Sequence, residues 1–139
     1  MYDYSDFNVK DHLNHNIWGP TGDRVRAEVA NKLIEIGKDF FDSLKFPEDT
    51  ELIDIKFTGS LANYNWTQKS DIDLHLVVDF SKISKDKEML RDYVNAKKSI
   101  WNDRHDVMIK GHEVEVYVED INEKHYSTGV YSLLNNEWI

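Results

Sequence analysis

Two aspartates one residue apart, Asp71 and Asp73, sit in the run "DIDLHLVV", and a Gly59-Ser60 pair lies upstream with ten residues between it and the first of them. On a strand, alternate side chains share a face, so the two carboxylates lie side by side with Cα atoms roughly 6.5 Å apart. They can converge on one hard cation, and Mg²⁺ or Mn²⁺ takes one or two carboxylates while waters and substrate phosphates complete its shell. Two such ions about 3.5–4 Å apart would hold the attacking and leaving oxygens of an in-line displacement at phosphorus. That chemistry calls for a third carboxylate. Glu115, mid-strand on the polar side of "HEVEVYVED", is placed to supply it, with Glu113 in reserve but close to a turn and expected to be solvated. Gly59-Ser60 supplies the other half: a strand ending in Gly and running into a helical turn presents backbone N–H groups to an anion, and the Ser60 hydroxyl can donate once more.

Each signal also has a plainer reading. An Asp-x-Asp alone is usually a solvated strand face, and it is the interval to Gly59-Ser60 that raises it above that level. His75 shares the aspartate face and could touch a phosphate or a metal, but a hydrogen-bonded structural histidine is the commoner case. His12 and His15 lack the further ligands a zinc site needs. Lys97, Lys98 and Arg104 could steer a triphosphate, yet such a run more often faces solvent. Trp66 could stack on a base or simply pack, whereas Trp18, Trp101 and Trp138 read as core or docking anchors.

The elements that must position these residues follow from periodicity. Val25, Val29, Leu33, Ile36, Phe40 and Leu44 recur at helical spacing, predicting a helix from Asp23 to about Leu44, with Thr21 as N-cap and Pro47 as terminator. "ELIDIKF" and "DIDLHLVVDF" alternate as half-buried strands, with a short helix or loop between them. Residues 86 to about 104 read as a helix with Met89, Leu90, Tyr93, Val94, Ile100 and Trp101 on its stripe. "DVMIKGHEVEVYVED" reads as a hairpin turning at Lys110-Gly111-His112, with Val114, Val116 and Val118 inward and Glu113, Glu115 and Tyr117 outward. Residues 1–20 read as an extended surface arm, and the tail has a Thr128-Gly129 turn with enough apolar residues to dock.

Composition bounds the rest. At 139 residues and 40% hydrophobic content, the chain suits a single domain, 1–139. The absence of cysteine excludes disulfide scaffolds, thiolate metal sites and cysteine nucleophiles. A net charge of −9 opposes non-specific binding to duplex DNA, though not binding of a nucleotide whose charge a metal carries. No apolar run approaches the ~18 residues of a membrane span, and with no basic-then-apolar leader the expected setting is cytoplasmic, without a membrane partner.

"GS", ten residues, "DIDL" and a later acidic strand together resemble the DNA polymerase beta-like nucleotidyltransferase superfamily. The direct match covers residues 57 to 78 and extends to Glu115. The resemblance implies an α+β fold, a mixed β-sheet with helices packed on one face. It implies that Gly59 and Ser60 hold a triphosphate, that Asp71 and Asp73 bind metal, and that Glu115 is the third acid. "HLNHNIWG", "WNDRH" and "GVYSLLNNEWI" resemble small phage-encoded nucleotidyltransferases of unassigned substrate. The pattern departs from the superfamily at "GSLANY", where Asn63 and Tyr64 replace a basic residue and a glycine, and at Glu115, commonly Asp. Many relatives also carry a helical C-terminal domain that grips the base or acceptor, so a small acceptor or a partner, including a second copy, is expected to complete the site. The expected activity is transfer of a nucleoside monophosphate from a nucleoside triphosphate to an acceptor hydroxyl on RNA, protein or a small molecule. The alternatives are an inactive nucleotide- or metal-binding regulator and a metal phosphoesterase, the latter having no need of the Gly-Ser turn.

Overall fold

The computed structural model describes residues 10, 12–123 and 129–139. Residues 1–9 and 11 of the expected arm, and Thr128 of the expected turn, lie outside the described residues. The elements are helix α1 (Ala27–Ser43), strand β1 (Asp54–Thr58), a single 3₁₀ turn (Ser60–Ala62), β2 (Ile72–Val78), a short α2 (Phe80–Ile83), α3 (Lys87–Arg104), β3 (Met108–Ile109), β4 (His112–Asp120), β5 (Tyr131–Ser132) and β6 (Glu137–Trp138). The fold is α+β. Its six strands form one mixed sheet in the order β3-β4-β2-β1-β5-β6, in which β2 and β4 are parallel and every other neighbour is antiparallel. The parallel pair requires a crossover, which α2 and α3 provide.

Alternation divides the sheet into two unlike faces. Ile55 and Phe57 pair with Leu76 and Leu74, and Leu74 pairs with Val116. These residues belong to one core cluster with Val29, Leu33, Ile36 and Phe40 of α1 and Leu90 and Val94 of α3, so both long helices cover the apolar face. Each fully buried side chain of this size stabilises the fold by about 1.5–3 kcal/mol. The opposite face carries Thr58, Asp73 and Glu115 in one register row and Lys56, His75 and Tyr117 in the next.

α3 is capped by Asp86, whose carboxylate accepts from the Met89 N–H at 3.0 Å. Its stripe is narrower than expected: Leu90 and Val94 are buried, but Met89, Tyr93 and Ile100 are exposed; α3 also runs beside β4. There Asn102 Oδ1 accepts from the Val116 N–H at 3.3 Å. The hairpin turns through Lys110 and Gly111, both at positive φ (53° and 83°), as a two-residue type I′ turn requires, so His112 already belongs to β4.

Three sequence expectations need correction. α1 begins at Ala27, with Arg26 in the cap position and no side-chain cap, so Thr21 does not start it. Val25 instead bridges to Trp18, and the Arg26 N–H donates to the Ile17 carbonyl at 2.8 Å, holding the chain extended there. Residues 12–20 are also more than a surface arm. Leu13, Ile17 and Trp18 are buried, and Trp18 donates from Nε1 to the Leu61 carbonyl at 2.7 Å. Finally, the tail does not merely dock but adds two strands, β5 on β1 and β6 on β5. Trp138 stacks on Trp18 at 4.5 Å, with Tyr131 edge-on to both.

Candidate metal and nucleotide site

The turn after β1 is shaped around Asp73. Gly59 has φ 94°, and a Cβ placed there would sit 2.6 Å from Asp73 Oδ2. Only a residue without a side chain tolerates both the dihedral and the approach. The chain then makes one 3₁₀ turn, in which the Ala62 and Asn63 N–H groups donate to the Gly59 and Ser60 carbonyls at 3.0 Å. Asn63 Nδ2 donates to the Gly59 carbonyl at 2.8 Å, so the departure from the usual motif serves to brace the turn. Ser60 Oγ donates to Ser70 Oγ at 2.6 Å, and Ser70 Oγ accepts from the Thr67 N–H at 2.8 Å. These bonds tie the Gly-Ser turn to the residue before Asp71.

The carboxylates gather at the adjoining end of β2 and β4. Asp73 pairs directly with Glu115 in the parallel register. Asp71 lies just outside β2, and one carboxylate oxygen from each of Asp71, Glu113 and Glu115 falls within 4.8 Å of the others. Asp73 is not in that group; it stands between it and the Gly59 turn. Glu113, the reserve, is as exposed as expected, yet it precedes Val114, the parallel partner of Ile72, and so comes beside Asp71. An all-oxygen donor set of this kind fits a hard divalent cation. The same set leaves like charges close together. Desolvation, then Glu115 and Asp71, push Asp73 up from 3.8 to about 6 against the opposing pull of His75. Asp71 is raised by desolvation and by Glu115, and His112 opposes the shift. Glu113 is raised by desolvation and then by Asp71, Asp106 and Glu115.

Two supporting residues carried no motif. His112 is buried, with Nδ1 2.6 Å from the Ser70 carbonyl and Nε2 3.5 Å from Asn14 Nδ2, so it fixes the backbone immediately before Asp71. The only sequence signal was its place beside the Lys110-Gly111 turn. Tyr117 donates its hydroxyl to Glu115 Oε2 at 2.7 Å, and burial followed by that bond raises its own pKa. Its position two residues after Glu115, on the same strand face, was legible.

The remaining candidates separate. His75 faces the site row, with Nδ1 3.3 Å from Glu119 Oε1. Among the described residues, no metal-ligating group of three includes His12 or His15, whose rings lie 4.7 Å apart. Lys98 lies over the Tyr117 ring at 4.7 Å, while Lys97 lies over Tyr93 and Arg104 ends α3. Trp66 is packed, donating to the His12 carbonyl at 3.0 Å, with the Lys10 ammonium over its ring.

No family model matches the chain, and no curated protein does. Among solved structures, one similar chain is the STING-associated CdnE c-di-GMP synthase from Capnocytophaga granulosa. It is 19% identical over 83% of this chain, with a TM-score of 0.35, and the match spans 42% of that longer chain. No helix among the described residues is long and apolar enough to cross a membrane.

Proposed function

We propose that the chain is a metal-dependent nucleotidyltransferase that moves a nucleoside monophosphate from a nucleoside triphosphate to an acceptor hydroxyl. The observation that supports this reading is the close approach of the Gly59 turn to the Asp73 carboxylate, which sets the turn expected to hold phosphate next to a carboxylate expected to hold metal. Gly59 and Ser60 would hold the phosphates through the backbone alone, because the Ser60 hydroxyl gives its one hydrogen to Ser70 Oγ instead of the expected anion; the Ser60 and Leu61 N–H groups precede the first bond of the 3₁₀ turn. Asp71, Asp73 and Glu115 would hold Mg²⁺ or Mn²⁺, with Glu113 beside them. The metal would neutralise phosphate charge and fix the geometry of displacement.

The acceptor oxygen attacks the α-phosphorus, an O–P bond forms, the bond to the β-phosphate's bridging oxygen breaks, and pyrophosphate leaves. Glu115, held by Tyr117, is the group that takes the hydroxyl proton, and Asp73 keeps donor and acceptor in register. Positioning and charge neutralisation supply the rate, with no covalent protein intermediate.

α-Labelled triphosphates incubated with Mg²⁺ or Mn²⁺ and RNA, protein and small-molecule acceptors test this directly. Labelled acceptor with pyrophosphate is the expected result. Nucleotide binding without turnover would replace the transferase with a regulatory binder, and phosphate release from monoesters would replace it with a phosphoesterase.

A further inference from the structure

The polar face of the sheet continues beyond the carboxylates into a cavity of about 220 Å³, bounded by Lys56, Thr58, His75, Glu119, Val130 and Ile139. Thr58 is the register partner of Asp73, and His75 follows Asp73 by two residues on the same face. Directly opposed residues of an antiparallel pair have Cα atoms about 4.5–5.5 Å apart, so the Thr58 wall of the cavity adjoins Asp73.

The wall has a definite chemistry. Lys56 Nζ donates to Glu119 Oε2 at 2.8 Å, and Glu119 is only 4% exposed, so the ammonium is held in place. An ammonium carries three N–H donors, which leaves Lys56 two for a ligand. Thr58 Oγ1 donates its one hydrogen to the Gly129 carbonyl at 3.1 Å and can therefore only accept from a ligand. Val130 and Ile139 add an apolar side, joined by the Ile139 N–H to Val130 carbonyl bond at 2.9 Å. Glu119 neutralises Lys56, while Asp73 and Glu115 stand one row away, so no net positive field remains to favour an anion. At ~30 Å³ per water, the volume holds about seven waters, room for one ring-sized group rather than a whole nucleoside.

We infer that this cavity is an acceptor subsite for a neutral, hydroxyl-bearing sugar ring, with its hydroxyl edge on Lys56 and Thr58 and its C–H face on Val130 and Ile139. The inference rests on the transferase reading for the word acceptor, but the binding it asserts is separate. Nuclear magnetic resonance titration of the full chain with D-ribose, and in parallel with inorganic phosphate, tests it. Ribose should move the Thr58 methyl and His75 ring resonances, and phosphate should leave them in place. Lys56→Met should weaken the ribose response about tenfold, as loss of a hydrogen bond to a charged group does. Ile139→Asp, at a residue 71% exposed where folding is not at stake, should weaken it as well. Shifts with phosphate alone, no shifts with ribose, or an unchanged response in both variants would each overturn the sugar site. Pyrophosphate release from a triphosphate, measured in the same samples, separates the two readings. Ribose binding without pyrophosphate release keeps the sugar site and removes the transferase, whereas pyrophosphate release without ribose shifts removes the subsite and keeps the transferase.

Discussion

Gly59 and Asp73 constrain each other. An added methyl at Gly59 meets the Asp73 carboxylate at 2.6 Å and strains a backbone at φ 94°, so Gly59→Ala should cost about 1–3 kcal/mol. Urea denaturation of the two proteins measures that cost, and a loss below a few tenths of a kcal/mol would mean the turn relaxes freely. Asp73 also sets a pH dependence. Its folded value, about 6, lies above the ordinary 3.8, so the folded state holds the proton more tightly than the unfolded chain. Without divalent metal, this group's contribution is fully present below about pH 4, falls as pH rises from 4 to 6 and is flat above that. Asp73→Asn should reduce that slope, leaving the smaller part due to Asp71 and Glu113, and raise metal-free stability at pH 7 by on the order of 1 kcal/mol, allowing for solvent screening. Denaturation midpoints at pH 4, 5, 6 and 7 in chelator, for both proteins, check the sign.

At the scale of elements, the site depends on the parallel β2–β4 pair, because their register sets Asp73 beside Glu115. The crossover helix α3 makes that pairing possible, and its start depends on Asp86. Asp86→Ala should cost about 0.5–2 kcal/mol, visible as a lowered thermal midpoint, and hydrogen exchange should show the first turn of α3 opening first. An unaltered midpoint would show that α3 is held by its packing alone. The two strand motifs and α3 were legible because their side chains keep a period over many residues. The extended Val25–Arg26 segment was not: its apolar residues continue the helical spacing of α1, and only the bridge to Trp18 and the bond to Ile17 select the other conformation. Strands β5 and β6, of two residues each, are too short to show alternation, so their pairing is decided by β1 and by the Trp18–Trp138 stack.

At the scale of the molecule, the chain's N-terminal and C-terminal parts meet at Trp18, which joins the core, the 3₁₀ turn and the last strand. Trp18→Ala should cost about 3–5 kcal/mol, and chemical denaturation should show the loss as one cooperative transition. The acidic cluster makes a second prediction for the whole fold. A cation that binds only the native state must stabilise it, so Mg²⁺ at ten times its dissociation constant should add about 1.4 kcal/mol. That gain should shrink in Asp71→Asn and Glu115→Gln. A thermal midpoint independent of Mg²⁺ in all three proteins would exclude the metal site.

The sequence by itself determined the strand–turn–strand unit from Phe57 to Val78, the face shared by Asp73 and His75, and the outward side of Glu113, Glu115 and Tyr117. Those are local properties: alternation has period two, and a glycine before a helical turn needs no distant partner to be recognised. Tertiary structure alone decided which carboxylates meet. The parallel register placed Glu115 beside Asp73 and, one residue earlier, Glu113 beside Asp71. It also decided that His112 and Ser70 would hold the approach to Asp71, and that Lys56, Thr58 and the 129–139 tail would enclose a cavity beside the site. Contacts between residues forty or more apart depend on strand order and register, which no window of sequence contains.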